Sequence, residues 1–569
     1  MLALRFSLLP RRSKGQGPPE VKEPDFGERP QYLQEYISKV SGELGEPVYM
    51  EKLDSSLKKR REYNVIYPVG GGVFIHAHSV RGSDMGRYIV IEPPRPPPEL
   101  LRAIDVALAN VISGEAPESA EERRRLLLSL LDRILEPASS DVDYSSLSSD
   151  LELRKVPVKR EWVDYIKYHV VRDKIGVGVL EPFLRDPYLE DISASGVGNI
   201  YLVHKIFNRM ESTVSFSSED ELDSFVLRLG EKIGKPITRA RPIVDATLPD
   251  GSRINIVFGS DVSLRGTNFT IRKSSKVPIS VTQLIDWGTI DERVAAYSWM
   301  LLREGMSGFI CGETASGKTT ALNAIAVFIR PTYKIVTIED TAEVQLPHPN
   351  WTRELARDTG RPETSVTLFD LLRAALRQRP DYIIVGEIRG AEGAVAFQAM
   401  QTGHPVLSTF HAGDFTRLIQ RLTGHPIDIP KPYMDNLNFA WFQASTYSKT
   451  GLLVRRMTAL YEIVGYDPNS DSVSAIPVFT WDPSTDRFIF SGRGSSYLLE
   501  EKIARMRGLS RRDYRLIYDE LELRASFLRE LVNRKVFDYF QVFKAVVKTE
   551  SMGIEKALAE LRAGRLDLS

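Results

Sequence analysis

Gly312, Gly317, Lys318 and Thr319 stand at the spacing G-x-x-x-x-G-K-T within GFICGETASGKTTALN, residues 308 to 323. A short apolar run leads into them and a helix-forming run follows. That sequence of strand, loop and helix turns a row of backbone N–H groups toward one point at a helix N-terminus, where the peptide dipoles favour an anion. The expected nucleotide-binding set is Gly312, Glu313, Thr314, Ala315, Ser316, Gly317, Lys318, Thr319 and Thr320. Lys318 would reach the β- and γ-phosphates of ATP, and the Thr319 hydroxyl would bind the Mg²⁺ that bridges them. A Gly/Ser/Thr surface turn is the plain alternative; it does not explain why strand and helix flank the loop where the chemistry needs them.

A phosphate loop alone does not separate a kinase from an ATPase, so the carboxylates decide. Glu339, Asp340 and Glu343 follow the apolar run KIVTI, and Glu387 ends the run DYIIVG. Acids where strands emerge beside a nucleotide can hold a Mg²⁺-bound water or take a proton from the attacking one. Many phosphate-loop ATPases carry an aspartate just before the second acid to help hold the metal, and Gly386 occupies that place. Metal support is therefore expected from Thr319 directly and from Glu339 or Asp340 through water, with Glu387 polarising the nucleophile. His404 and His411 bracket the run PVLSTF, the latter at a strand end where ligands bind in such folds. Taken singly, either reads as a structural histidine. Arg373 and Arg377 lie four apart on one helix face and read equally as solvated or as facing the acids. Arg253, Arg265 and Arg272 precede the loop in a separate block, and an arginine supplied to a phosphate site adds a large transition-state term.

These groups need a scaffold. From about residue 281, the runs GFIC, KIVTIED, DYIIVGE and PVLSTFHAG alternate with helical segments, the pattern of a mostly parallel sheet with helices on both faces. The fold class is α/β, a nucleotide-binding domain preceded by α+β N-terminal domains. A tail is expected over 1–30, N-terminal domain 1 over 31–150 and N-terminal domain 2, the arginine-bearing one, over 151–275. KSSKVPIS reads as a hinge, and the nucleotide domain runs from 281 to 569 with an appended helical bundle from about 481. Linkers are marked by the Pro, Gly and charge content of 10–30 and the serines of 138–150. Gly70, Gly71 and Gly72 read as a hairpin turn because no Lys-Ser/Thr and no helix follow. His76 and His78 share a strand face without a third ligand nearby in sequence.

Composition narrows the classes further. At 569 residues the chain should divide into several folding units, and its 75 basic residues equal its 75 acidic ones. No global basic field gathers nucleic acid, so no nucleic-acid partner is expected. One cysteine, Cys311, excludes intrachain disulfides and multi-cysteine zinc sites, so ATP and Mg²⁺ without zinc are the expected cofactors. No apolar run reaches 18 residues, and the chain is expected to be soluble and intracellular.

Five blocks in order, DGSR…RG…FTIRK, the phosphate loop, TIEDTAE, the Gly-Glu strand end and STFHAGD, resemble the secretion-type ATPase superfamily that powers type II and type IV secretion, type IV pili and the archaellum. The resemblance covers roughly residues 175 to 500. It implies a RecA-like domain and a homohexameric ring that hydrolyses ATP between that domain and an N-terminal one. It also implies roles: hydrolysis for Glu339, Asp340, Glu343 and Glu387, nucleotide sensing for His404 and His411, and phosphate contact for Arg253, Arg265 and Arg272. Bacterial type II members usually carry a tetracysteine zinc element, which this chain cannot have. With GVLEPFLRDPYLEDISASGVG, residues 178 to 198, this departure points to archaeal pilus and archaellum motors. Such a motor works in the cytoplasm at the inner face of the membrane, against a polytopic platform protein and, through it, pilin-like subunits. The alternatives are a conjugation or DNA/effector export ring, a phosphate-loop kinase and a nucleotide-gated scaffold.

Overall fold

The computed structural model describes residues 24–568, apart from 25, 28, 55–56, 58–59, 61, 113–118, 139–141, 148–149, 151, 275–276, 358–362 and 449–452. Most of the expected 1–30 tail, and parts of the expected 138–150 linker and 273–280 hinge, lie outside the described residues. The chain forms two compact units, Met1–Ser274 and Ser275–Ser569, and the division falls inside the expected hinge segment.

In the first unit, one ten-stranded sheet joins both segments on either side of the boundary expected at 150. The strand Gly86–Ile91 pairs in parallel with Asn208–Phe216, so one apolar core runs from Leu53 to Ile271. The expected hairpin is Asn64–Gly70 against Val73–His78, and its three glycines all have positive φ, which a side chain would resist. His76 is fully buried between the Tyr36 hydroxyl (2.7 Å) and the Asn64 side chain (2.6 Å), while His78 meets the Ser79 carbonyl. These partners are those of core histidines.

The second unit is built on a nine-stranded sheet. Its order is Trp351–Leu355, Ile335–Glu339, Tyr382–Ile388, Val406–Phe410, Gly308–Gly312, Phe439–Tyr447, Leu453–Asp467, Ser472–Asp482 and Arg487–Phe490. The first six run parallel and the last three complete an antiparallel meander. Strands buried on both faces must be apolar throughout, which is why GFICG, IVTIE and VLSTF are buried along their whole length. The architecture is the RecA-like one.

The C-terminal helices belong to that same core. The strand Arg487–Phe490 still extends the sheet where a helical segment was expected, and helices Tyr514–Asn533, Tyr539–Met552 and Ile554–Arg562 follow. Ile517, Leu521, Phe527, Leu528 and Leu531 pack in one cluster with Trp299 and Phe328. The Arg524 guanidinium lies 4.4 Å from the Trp299 ring centroid, and Arg303 pairs with Glu550 at 2.6 Å. An amphipathic helix hides its apolar stripe against whatever core is available, so the segment is not an independent bundle.

Candidate nucleotide site

Gly317 N-caps the helix Lys318–Ala326 with φ 91°, and Ala315 also lies at positive φ, 62°. This bend folds the loop over the helix start, so three donors converge on the Glu313 carbonyl: the Ser316 amide (3.3 Å), the Ser316 hydroxyl (2.8 Å) and the Lys318 ammonium (2.8 Å). Lys318 is buried. Cys311, one residue before the loop, is fully buried, and burial pushes its thiol far above the ordinary range, so it is a packing residue.

The loop's other wall is braced by residues that motif reading passed over. Gln443 Nε2 donates to the Ser316 carbonyl (3.0 Å), while Ser445 Oγ (3.2 Å) and Arg455 Nε (3.1 Å) both donate to the Ala315 carbonyl. A Cβ on Gly312 would come within 2.3 Å of the Gln443 carbonyl oxygen, so only glycine lets the two strands close here. No local signal marks these residues, because their place depends on which strand lies beside Gly308–Gly312.

On the opposite flank, parallel register sets Cys311 against Phe410 and Glu387 against Thr409. His411 and Glu387 therefore emerge at the same sheet edge as the loop. His411 Nε2 lies 2.9 Å from Glu387 Oε1, though not aligned for a hydrogen bond, and that buried oxygen has no hydrogen-bond partner. The other oxygen accepts from Arg389 at 2.5 Å. Burial lowers the His411 pKa first, the Lys318 charge lowers it further, and Glu387 opposes both. The ring is neutral at pH 7. A pocket lined by Gly312, Glu313, Thr314, His411, Arg417 and Arg421 opens between loop and strand end. Arg421 donates to the His411 carbonyl and stacks 5.4 Å from the Phe410 ring, which fixes the histidine's backbone.

Several expected residues are placed elsewhere. Glu339 is 1% exposed, with Oε1 accepting from the Glu343 (2.7 Å) and Val344 (2.6 Å) amides and Oε2 from Arg353 (3.3 Å). Its carboxylate holds the 340–344 turn. A Cβ at Gly386 would sit 3.2 Å from Glu339 Cγ, so an aspartate there would crowd this side chain. Asp340 instead lines a second pocket with Arg357 and Arg389, and Asp340 and Glu343 add to the field that raises the Arg389 pKa, chiefly set by its bond to Glu387. Arg389 escaped sequence reading, although Glu387 and Arg389 stand two apart on one strand end. His404 precedes the strand Val406–Phe410 at its entering end, roughly 20 Å from His411 at about 3.3 Å per residue, with its ring 3.2 Å from Thr402. It is not brought to the loop. Arg373 is exposed over the Phe369 ring (5.6 Å), and Arg377 is exposed too, the solvated-face reading.

In the first unit, Arg253 and Arg272 stand directly opposite each other on antiparallel strands, with Asp191 across from Arg272 on the next strand. Arg265 sits in the 258–267 connection at the hairpin's other end, about 17 Å along the strands at ~3.4 Å per residue. Two of the three arginines form one basic pair; the third is apart.

A model of the family described as "Type II/IV secretion system protein" matches residues 173–428. An uncharacterised protein of Methanocaldococcus jannaschii, MJ0900, is 48% identical over 516 residues, covering 90% of this chain and 93% of its own. The chain belongs to the type II/IV secretion-system ATPase superfamily. A putative conjugal transfer protein of Mycobacterium tuberculosis is 31% identical over 236 residues, 40% of this chain and 66% of that one. The crystal structure of the pilus retraction motor PilT with bound ADP matches at 21% identity and a TM-score of 0.37, over 51% of this chain and 81% of that one. The segment matched by the family of secretion ATPases contains the loop, Glu387 and His411, and ends before Gln443, Ser445 and Arg455.

The residues fit a Mg²⁺–nucleotide. A side chain at Gly312 would run into the Gln443 carbonyl and Gly317 holds a positive φ, Thr319 takes the second position of the helix that opens on this cradle, and Glu387 keeps a buried acceptor without a hydrogen-bond partner beside the pocket. Thr319 would hold the ion, which neutralises charge on the phosphates when bound. Among the described residues, no cluster of three metal-ligating side chains occurs, and no helix is long and apolar enough to cross a membrane.

Proposed function

We propose that the chain is the ATP-hydrolysing subunit of a homohexameric motor that drives assembly of a type IV pilus-like or archaellum filament. The observation that carries the reading is the Glu387–His411 contact at the edge of the phosphate loop. In this reading the loop amides and Lys318 hold the phosphates, Thr319 the Mg²⁺, and Glu387 takes the proton of the attacking water. Neutral His411, beside Glu387 and within the field of the Lys318 charge, reports the state of the nucleotide by hydrogen bonding. Arg253, Arg265 and Arg272 are the arginines that this reading assigns to phosphate contact, where a guanidinium adds to transition-state stabilisation. The motor acts at the inner face of the cell membrane on cytoplasmic segments of a polytopic platform protein.

A second reading, a DNA or effector export ring, is favoured by the similarity to a putative conjugal transfer protein. Balanced charge, 75 basic against 75 acidic residues, speaks against it. Mass measurement with a non-hydrolysable ATP analogue tests both, since either requires a ring: a hexamer is expected, and a monomer overturns the motor. Platform segments should then bind differently in ATP and ADP states. Equal binding, together with ATPase stimulation by DNA, would replace the filament motor with the export ring.

A further inference from the structure

The sheet face that braces the phosphate loop continues past it. Gln443, Ser445 and Tyr447 alternate along one side of their strand, and Arg455 and Leu453 stand in register with Ser445 and Tyr447 on the next. The first two rungs are engaged, Gln443 with the Ser316 carbonyl and the Ser445–Arg455 pair with the Ala315 carbonyl. The third rung is bare: Tyr447 is 73% and Leu453 64% exposed, an aromatic beside an aliphatic about 7 Å beyond the loop contacts at ~3.4 Å per residue.

The strand that feeds the loop lies between Val406–Phe410 on one side and Phe439–Tyr447 on the other. Glu387 and His411, the groups suited to the terminal phosphate, stand on the first side. A nucleotide whose terminal phosphate points there has its base on the second. We propose that Tyr447 and Leu453 are the seat of the nucleotide's base, Tyr447 stacking on the ring and Leu453 covering its edge, with Arg455 tying this ledge to the loop. The inference rests on the reading of the loop as an ATP site and adds which residues bind the part of ATP that is not phosphate. Stacking on an aromatic ring is sensitive to the presence of a base and tolerant of its identity.

The test compares calorimetric binding of Mg²⁺–ATP and of inorganic tripolyphosphate, which offers the same phosphates without a base. Tyr447→Ala should weaken ATP roughly ten- to a hundred-fold and leave tripolyphosphate unchanged, while Tyr447→Trp should retain ATP. Lys318→Ala should weaken both ligands. An unchanged ATP-to-tripolyphosphate ratio in Tyr447→Ala overturns the base seat alone, as does an equal loss of both, which marks distortion of the loop. A wild-type chain that binds neither ligand overturns the nucleotide reading and the seat with it.

Discussion

His411 Nε2 and Glu387 Oε1 lie 2.9 Å apart at the ends of two adjacent parallel strands, beside the loop that carries Lys318. The contact joins a candidate base to a neutral imidazole. Because burial and Lys318 both lower the His411 pKa from its ordinary 6.5, the ring becomes charged only at pH below that value. ATP turnover should show no loss from His411 protonation at pH 6.5 and above and should fall only at more acid pH than a free imidazole would give, and His411→Gln should lose that acid limb along with part of its rate. A wild-type acid limb that survives in His411→Gln would assign it to another group.

Gly312 tests the bracing of the loop. Gly312→Ala places a methyl 2.3 Å from the Gln443 carbonyl, a backbone atom that cannot swing away. Overpacking of this kind costs about 1–3 kcal/mol. Denaturant unfolding should register that loss and calorimetry a loss of nucleotide binding, whereas Gln443→Ala, which removes one donor to the loop, should weaken binding and stability less.

The four apolar runs GFIC, KIVTIED, DYIIVGE and PVLSTFHAG correspond to the strands Gly308–Gly312, Ile335–Glu339, Tyr382–Ile388 and Val406–Phe410. They were legible because doubly buried parallel strands have unbroken apolar sequences. The ends of these strands told which acids emerge, and so Glu387 and His411 could be read; His404, which precedes its strand, sits at the opposite edge of the parallel sheet. What depends on strand order stayed hidden: the bracing by Gln443 and Arg455, the single sheet that unites the first unit, and the turning inward of Glu339. The C-terminal helices looked independent because their polar faces dominate the composition, while the stripe that includes Leu521 and Leu528 closes over Trp299.

Trp299 measures how firmly those helices belong to the core. It is fully buried, stacked on Phe328 at 5.1 Å and covered by Arg524. Trp299→Ala should cost about 3–5 kcal/mol. The whole second unit should melt earlier as one transition; a separate early transition of residues 514–562 would show that they fold on their own.

His76 gives the first unit a pH signature. Burial, with the neighbouring His78, pushes its pKa down to about 4. The unfolded chain binds a proton near 6.5 and the folded one only near 4, so this contribution to stability is fully present above 6.5 and is lost as pH falls from 6.5 toward 4. His76→Gln should flatten the stability profile in that window; an identical slope in wild type and variant would refute the assignment.

Arg253 carries the expectation of a site shared between subunits. Arg253→Ala should lower kcat far more than nucleotide affinity, because the contact forms mainly in the transition state. Mixing Arg253→Ala with Glu387→Gln subunits should restore some activity at interfaces that receive both intact groups. No restoration would count against action in trans.

Glu387→Gln tests the central claim most directly, since it keeps the size and hydrogen bonding of the side chain and removes its charge. With Mg²⁺–ATP binding and hydrolysis measured on the same preparation, binding should match the wild type and turnover should fall by roughly 10² or more. Near-normal hydrolysis by Glu387→Gln would contradict the account and remove this carboxylate from the reaction.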